Sequence, residues 1–264
     1  MAKICPLFSG SSGNSLYIGS SGKGILIDAG RSAKQLEGAM RDNNLPMEGV
    51  RAIFVTHEHS DHIQGLRVLA TRYHIPVYSS RGTLEALCEM GVANGKYPVD
   101  VIGCDGLCVD DMFVKPFRTS HDSRESVGYV VTTADGRKVA VATDLGYFSE
   151  EVALAAQGCE LVVIESNHDV RMLQNGGYPY YLKRRILSNT GHLSNEACAD
   201  VLPGFLESGT RRFMLFHLSR ENNIPALAYQ TALCSLQQHG MALGEDFELM
   251  VAPRENTTGQ MMLL

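Results

Sequence analysis

Within the six positions His57-Glu58-His59-Ser60-Asp61-His62 stand three histidines and two carboxylates. Imidazole beside carboxylate suits Zn²⁺, Mn²⁺ or Fe, and no cysteine lies close enough to complete a closed structural zinc site. The spacing lets His57 and His59 address one ion while Asp61 and His62 address a second. A single histidine here would read as a polar loop residue or a helix cap. The full HxHxDH pattern reads as a metal site.

Ligands this close in sequence need rigid supports on both sides. Ile53-Phe-Val55 is a short unbroken apolar run of β-formers, the pattern of a strand buried on both faces. After the motif, Ile63, Leu66, Leu69 and Ala70 recur at helical spacing, so the motif occupies the turn between a strand and a helix. Three further candidates sit just past predicted strands: His121 after Phe117-Arg-Thr-Ser, Asp144 after Val141-Ala-Thr, and His217 after Met214-Leu-Phe. The ends of neighbouring strands converge on one sheet edge, where residues distant in sequence meet.

The chain opens as a β-meander: Lys3 to Phe8, a Gly/Ser/Asn loop, Ser15 to Gly19, then Gly24-Ile-Leu-Ile-Asp28. Ser32 is an N-cap for a helix through about Arg41, and strands and helices then alternate to Met90, which is α/β. From Asp100 the pattern is β, with a hairpin over Val127 to Thr133 and Arg137 to Thr143 turning at Asp135-Gly136. The second half repeats the alternation: helix Ser149 to Gln157, strand Glu160 to Glu165, helices Tyr180 to Leu187 and Asn195 to Glu207, strand Arg212 to Phe216, helix Pro225 to His239 and strand Phe247 to Val251. The stretch Lys138 to Gly146 echoes Ile25 to Gly30, each a strand running into Asp-x-Gly, the trace that a duplicated unit leaves. No stretch has the composition of an interdomain linker, so residues 1–264 are expected to form one domain.

The chain has 264 residues, 44% of them hydrophobic, enough for a large core. No apolar segment reaches the ~20 residues of a membrane span, and the N-terminal run is too short for a secretory signal, so a cytoplasmic protein is expected. Seven scattered cysteines without a CxxC pair fit reduced thiols, and Cys104 and Cys108, the only close pair, read as incidental. A net charge of −6 argues against a broad basic nucleic-acid surface and leaves room for a phosphodiesterase whose attraction is confined to a cleft and its metals.

The HxHxDH stretch resembles the signature of the metallo-β-lactamase superfamily, and Phe8-Ser-Gly-Ser-Ser-Gly-Asn14-Ser resembles its YycJ/WalJ branch. The resemblance implies a four-layer αβ/βα sandwich with two mixed β-sheets. It assigns His57, His59 and His121 to one divalent metal ion and Asp61, His62 and His217 to another, with Asp144 bridging. It makes Asp28 a brace of the metal loop, where the residues alone would also allow a turn-initiating aspartate. Such a pair of ions activates water and stabilises charge on the attacked and leaving oxygens, which is hydrolytic chemistry. With His59 at the second position, the chain departs from oxygen-reducing diiron relatives.

Gly191-His192-Leu-Ser resembles a segment of RNase Z relatives in which a non-ligand histidine protonates the leaving oxygen, and His217-Leu-Ser219-Arg220 resembles their last ligand motif. The branch implies a 5′→3′ exonuclease acting on DNA, with Asp61 and His192 catalytic. Substrate contacts are expected from Ser11, Ser12 and Asn14, from Ser219 and Arg220, and from His168, for which a helix-cap or core role is an equal alternative. A phosphate cradle and a plain hairpin turn remain alternative readings of the Gly10–Asn14 loop. Lys183-Arg-Arg185 beside Tyr178, Tyr180 and Tyr181 reads either as a strand-binding patch or as a solvated helix. Neither a β-CASP insertion nor a tRNA-clamping arm is recognisable, so the bare fold or a homodimer must grip the substrate. A thioesterase with the same ligands, and a metal-binding accessory factor, are the competing functions.

Overall fold

A strand covered on both faces needs an apolar residue at nearly every position, and its alternate side chains go to different cores. In the computed structural model, which describes residues 1–20 and 22–264, Ile25 and Ile27 face one core while Leu26 faces a second. Val139 and Val141 also face the first core, and Ala140 and Ala142 face a third. Three stacked cores separate four layers, helices outside two sheets, as the sequence led one to expect.

In chain order the first half contains β1 (Lys3–Phe8), β2 (Ser15–Ser20), β3 (Lys23–Ile27), α1 (Ala33–Asp42), β4 (Val50–Phe54), α2 (Ser60–Ile63), α3 (Leu66–Tyr73), β5 (Val77–Ser79), α4 (Arg81–Glu89) and β6 (Val99–Val101). The second contains β7 (Leu107–Val109), β8 (Met112–Arg118), β9 (Val127–Thr132), β10 (Lys138–Ala142), α5 (Glu150–Ala156), β11 (Leu161–Glu165), α6 (Val170–Asn175), α7 (Tyr180–Ile186), α8 (Asn195–Glu207), β12 (Arg212–Phe216), α9 (Pro225–Gln238), β13 (Glu248–Val251) and β14 (Met262–Leu263). One sheet runs β14-β1-β2-β3-β4-β5-β6 and the other β13-β12-β11-β10-β9-β8-β7.

Each sheet changes character at one strand. β3 pairs antiparallel with β2 and parallel with β4, and β10 pairs antiparallel with β9 and parallel with β11. Asp28 and Asp144 follow these two strands, so the repeated Asp-x-Gly marks equivalent places in the two sheets.

The central core between the sheets holds Ile4, Ile18, Phe54, Tyr129, Val163 and Met214. Leu36, Leu66, Leu69 and Leu87 of α1, α3 and α4 cover the outside of the first sheet, and Val152, Leu202, Phe205 and Leu236 of α5, α8 and α9 cover the second. Each such side chain, fully buried, stabilises the fold by roughly 1.5–3 kcal/mol. Among the described residues no helix is long and apolar enough to cross a membrane.

Two differences from the sequence reading bear on the site. The helix expected to continue from the metal motif is two helices, α2 and α3, parted at Gln64-Gly65. The chain passes too close to a neighbour there for a continuous helix with side chains: a Cβ on Gly65 would lie 2.2 Å from the Arg31 carbonyl oxygen. The short elements α6, β7 and β14 were not anticipated. The hairpin between β9 and β10 does turn at Gly136, whose φ of +80° suits glycine.

Candidate metal centre

Three residues that follow strands, Asp28, Asp144 and His217, adopt left-handed backbone conformations with φ of 64°, 57° and 58°. Non-glycine residues seldom do so, and where they do the surrounding fold must hold them. Here the holding is visible. Asp28 Oδ1 accepts a hydrogen bond from the Thr56 backbone N–H (2.8 Å), and Oδ2 accepts one from Thr56 Oγ1 (2.8 Å). The His217 N–H donates to Ser9 Oγ (2.8 Å). The motif loop is clamped by close backbone approaches as well: a Cβ on Gly30 would meet the Asp61 carbonyl oxygen at 1.8 Å.

The first cluster joins His57, His59 and His121. His59 Nδ1 lies 3.1 Å from His57 Nε2 and 3.2 Å from His121 Nε2. Two nitrogens each about 2.1 Å from one tetrahedral ion stand about 3.4 Å apart, so the three atoms have the separations of a shared ligand set. The second cluster joins Asp61 Oδ2 to the Nε2 atoms of His62 and His217, each at 3.6 Å. Asp144 spans the two, with Oδ1 3.6 Å from His121 Nε2 and Oδ2 3.3 Å from His62 Nε2. The buried His217 Nε2 has no hydrogen-bond partner among the described residues, as expected of a nitrogen reserved for a cation.

The other ring nitrogen of four histidines is fixed from behind. His57 Nδ1 meets Thr56 Oγ1 (3.1 Å), His62 Nδ1 meets Asp28 Oδ2 (2.8 Å), His121 Nδ1 meets the Gly191 carbonyl (3.0 Å) and His217 Nδ1 meets Glu165 Oε1 (2.8 Å). Such partners set the tautomer and aim Nε2 at the site. Asp28 thus holds both Thr56 and His62. Glu165, which the sequence reading passed over, does the same work twice, since its Oε1 also meets His192 Nδ1 at 2.8 Å. Its Oε2 accepts from the Leu145 and Leu193 backbone N–H groups, so all its acceptor positions are taken and it is not a free ligand. One sequence signal existed: a carboxylate ending the otherwise apolar strand Leu161–Glu165, a buried acid that must have partners.

The electrostatics fit a cation. Burial would raise the Asp144 carboxyl, but the charges of His217, His62 and His57 overcome it and hold it well below the usual range. Glu165 is held at about 2 against the same burial by His192 and His217. Burial works to lower His217, yet Asp144, Asp61 and Glu165 bring it up to about 10. His62 is likewise raised against burial, by Asp144, Asp28 and Asp61. His57 goes the other way, held low by burial and its neighbouring histidines. Protons and metal ions therefore compete for one pocket of negative charge, and the donor set makes it a divalent-metal site.

A cleft of about 220 Å³ opens over the clusters, lined by Ser11, Asp61, Asp144, His192, His217 and Ser219 and by Tyr178, Leu182, Arg185 and Ile186 at α7. His192 is 15% exposed and, with Nδ1 held by Glu165, has Nε2 available to a substrate. Other expected contacts fall elsewhere. Asn14 is buried, its Oδ1 accepting from the Gly10 N–H and its Nδ2 beside Asp61 Oδ2 and His62 Nε2, so it steadies the ligands rather than reaching substrate.

The Gly10 and Gly13 N–H groups are likewise bonded within the loop, which favours the hairpin reading over a phosphate cradle. Ser12 and Arg220 are exposed and lie off the cleft wall, and His168 is buried, 1% exposed, and is not part of the lining. Cys104 and Cys108 are free and exposed. His74 and His239 are the C-terminal caps of α3 and α9.

Comparison with known proteins agrees with this geometry. Residues 23–218 match the family described as "Beta-lactamase superfamily domain". The chain is 40% identical over 248 residues to exodeoxyribonuclease YycJ of Bacillus anthracis, covering 92% of each chain. It is 38% identical over 255 residues to exodeoxyribonuclease WalJ of Streptococcus pneumoniae, covering 94% of this chain and 93% of the relative. Among solved structures, the metallo-β-lactamase fold protein YhfI of Bacillus subtilis superposes with a TM-score of 0.72 over 96% of this chain and 97% of its own, at 14% identity.

Proposed function

The chain belongs to the metallo-β-lactamase superfamily, and we propose that in it the fold serves a divalent-metal-dependent nuclease that shortens DNA from its 5′ ends. The observation that carries the reading is the double cluster His57/His59/His121 and Asp61/His62/His217 joined through Asp144, with His192 next to it, its Nδ1 3.6 Å from Asp144 Oδ1 and taken by Glu165 Oε1 at 2.8 Å. Kinship at 38–40% identity with two exodeoxyribonucleases supports DNA as the substrate. In this reading the seven residues hold two divalent ions. When bound, the ions supply Lewis acidity to the phosphodiester and to the attacking water.

The chain's own groups do the rest. Asp61, whose side chain is 23% exposed at the cleft, accepts the proton released by the attacking water. His192 Nε2 donates a proton to the leaving 3′-oxygen, while Glu165 keeps the ring facing the cleft. The Leu182 and Ile186 side chains supply the aliphatic part of the cleft lining. Glu165 also holds His217, so proton donor and ligand keep a fixed relation.

The test uses end-labelled single- and double-stranded DNA with Mn²⁺ or Zn²⁺, beside a panel of thioesters, on protein whose metal content is measured. Two ions per chain and stepwise loss from the 5′ end are expected. Thioester turnover with intact DNA would replace this reading with the thioesterase, and inactivity of the two-metal protein on every substrate would leave an accessory factor. Sequential loss from 3′ ends would keep the nuclease and reverse its polarity.

A further inference from the structure

The residues lining the cleft include two carboxylates, Asp61 and Asp144, and one guanidinium, Arg185; every other basic group among them is an imidazole. A polyanionic substrate entering a chain of net charge −6 has little long-range attraction to draw on, so how that cation is held matters. It is held as a fork. Nε and Nη2 of Arg185 pair with the two oxygens of Asp122, the Nη2 contact being 2.8 Å.

Asp122 Oδ1 is in turn 3.4 Å from His121 Nε2, which places the guanidinium one carboxylate away from the first cluster. The backbone behind it is tight: the Asp122 N–H donates to the Thr190 carbonyl (3.1 Å), the His192 N–H donates to the Ile186 carbonyl (2.9 Å), and a Cβ on Gly191 would stand 2.2 Å from that same oxygen. Arg185 is therefore fixed relative to His121 and His192 both.

Two of its three nitrogens are committed to Asp122. Nη1 has no hydrogen-bond partner among the described residues, and the side chain remains 47% exposed. A guanidinium already neutralised by a carboxylate gives little steering. What it keeps is a pair of N–H donors in a fixed direction, suited to a phosphate already in the cleft. The scissile phosphate belongs to the metal clusters, so the group one carboxylate away meets its neighbour along the strand. The Tyr178 ring lines the same wall, where a terminal base can stack.

We propose that Arg185, held by Asp122, binds the phosphate next to the scissile one, which in an exonuclease is the terminal 5′-phosphate, and so makes the enzyme prefer phosphorylated ends. The proposal rests on the nuclease reading and names the end chemistry that reading left open.

The test compares the full-length, metal-loaded protein with Arg185→Gln and Arg185→Lys on duplexes that differ only in a 5′-phosphate or a 5′-hydroxyl. Wild type should show a KM roughly ten-fold or more lower on the phosphorylated end, the worth of one charge-assisted hydrogen bond. Arg185→Gln should bring the ratio close to one mainly through KM, and Arg185→Lys should keep part of it. Metal content and melting temperature check that the variants are folded.

An unchanged ratio in Arg185→Gln would overturn the proposal. So that failure of the nuclease reading can be told apart, binding of thymidine 3′,5′-bisphosphate and of thymidine 3′-monophosphate, which share the phosphate that the metal clusters would take, is measured by calorimetry on the same proteins. A preference for the bisphosphate that vanishes in Arg185→Gln upholds the phosphate subsite even if no DNA is cut. A preference that survives there rejects it.

Discussion

His192 and His217 share one carboxylate oxygen yet are proposed to do different work, and substitution separates them. His192→Ala should keep both metal ions and lose about 10²–10⁴-fold in turnover on DNA, the range for a positioned general acid. On a nitrophenyl phosphodiester, whose leaving group needs no proton, the loss should be much smaller. Equal losses on the two substrates, or a missing ion, would show that His192 is a ligand or a brace.

A second residue-scale prediction concerns His168, which is buried with neither ring nitrogen hydrogen-bonded among the described residues. Burial pushes it down to about 4, below the ordinary histidine value of about 6.5. Between those values the unfolded chain binds a proton that the folded chain refuses, so stability rises with pH there and is lost as pH falls from about 6.5 towards 4. The loss reaches about 3 kcal/mol. Denaturant midpoints of wild type and His168→Gln, measured from pH 4 to 7.5, should converge on acidification; parallel curves would contradict this.

The proposed ligands were legible in sequence because four of them crowd into six positions and the others stand at strand ends. Glu165 was not, because its partners His192 and His217 lie 27 and 52 residues away and only the folded chain brings them to it.

At the scale of elements, local signals decided what could be read. Ser32, Ser80, Ser149 and Ser194 each accept a hydrogen bond from the N–H three residues on, and the helices they cap begin close to where the sequence puts them. The strands β7 and β14 are three and two residues long, too short for an alternation to show, and they exist because a neighbouring strand offers an edge. The break between α2 and α3 was invisible for a related reason: it arises from the Arg31 carbonyl, which sequence does not place beside Gly65.

Glycines at such passes should behave differently from glycines in open space. Gly30→Ala drives a methyl into the Asp61 backbone and should cost about 1–3 kcal/mol together with metal affinity. Gly204→Ala, at an exposed position of the otherwise packed α8 with nothing within 4 Å, should stabilise by about 0.4–1 kcal/mol and leave metal content alone. Thermal melts with metal analysis distinguish the two outcomes, and a harmless Gly30→Ala would mean that the motif loop yields more readily than its contacts imply.

For the whole molecule, charge is the quantity that matters to a DNA substrate. With a net −6 and one guanidinium in the cleft, few phosphates can be neutralised on binding. The slope of log affinity against log salt is about −0.9 per phosphate contacted, so it should be shallow, on the order of −1 to −2. A slope as steep as those of dedicated DNA-binding proteins would reveal a contact surface away from the cleft. The sequence made this whole-molecule property plain through composition alone, whereas the order of the strands within the two sheets came only with the structure.

The two sheets are also stitched together at the site itself. Tyr129 of β9 donates its hydroxyl hydrogen bond to the Val55 carbonyl (2.6 Å), and the Val127 N–H donates to the Thr56 carbonyl (3.1 Å), just before the first histidine of the motif. Ligands come from both sheets, so an ion held by them would act as a rivet through the sandwich, and parting the layers would mean letting go of it. Amide hydrogen exchange makes this measurable: exchange at Val127 should slow when Mn²⁺ is added and quicken when it is chelated, although Val127 is no ligand. The protein's tenure on its metal and the breathing of its layers would then be a single clock.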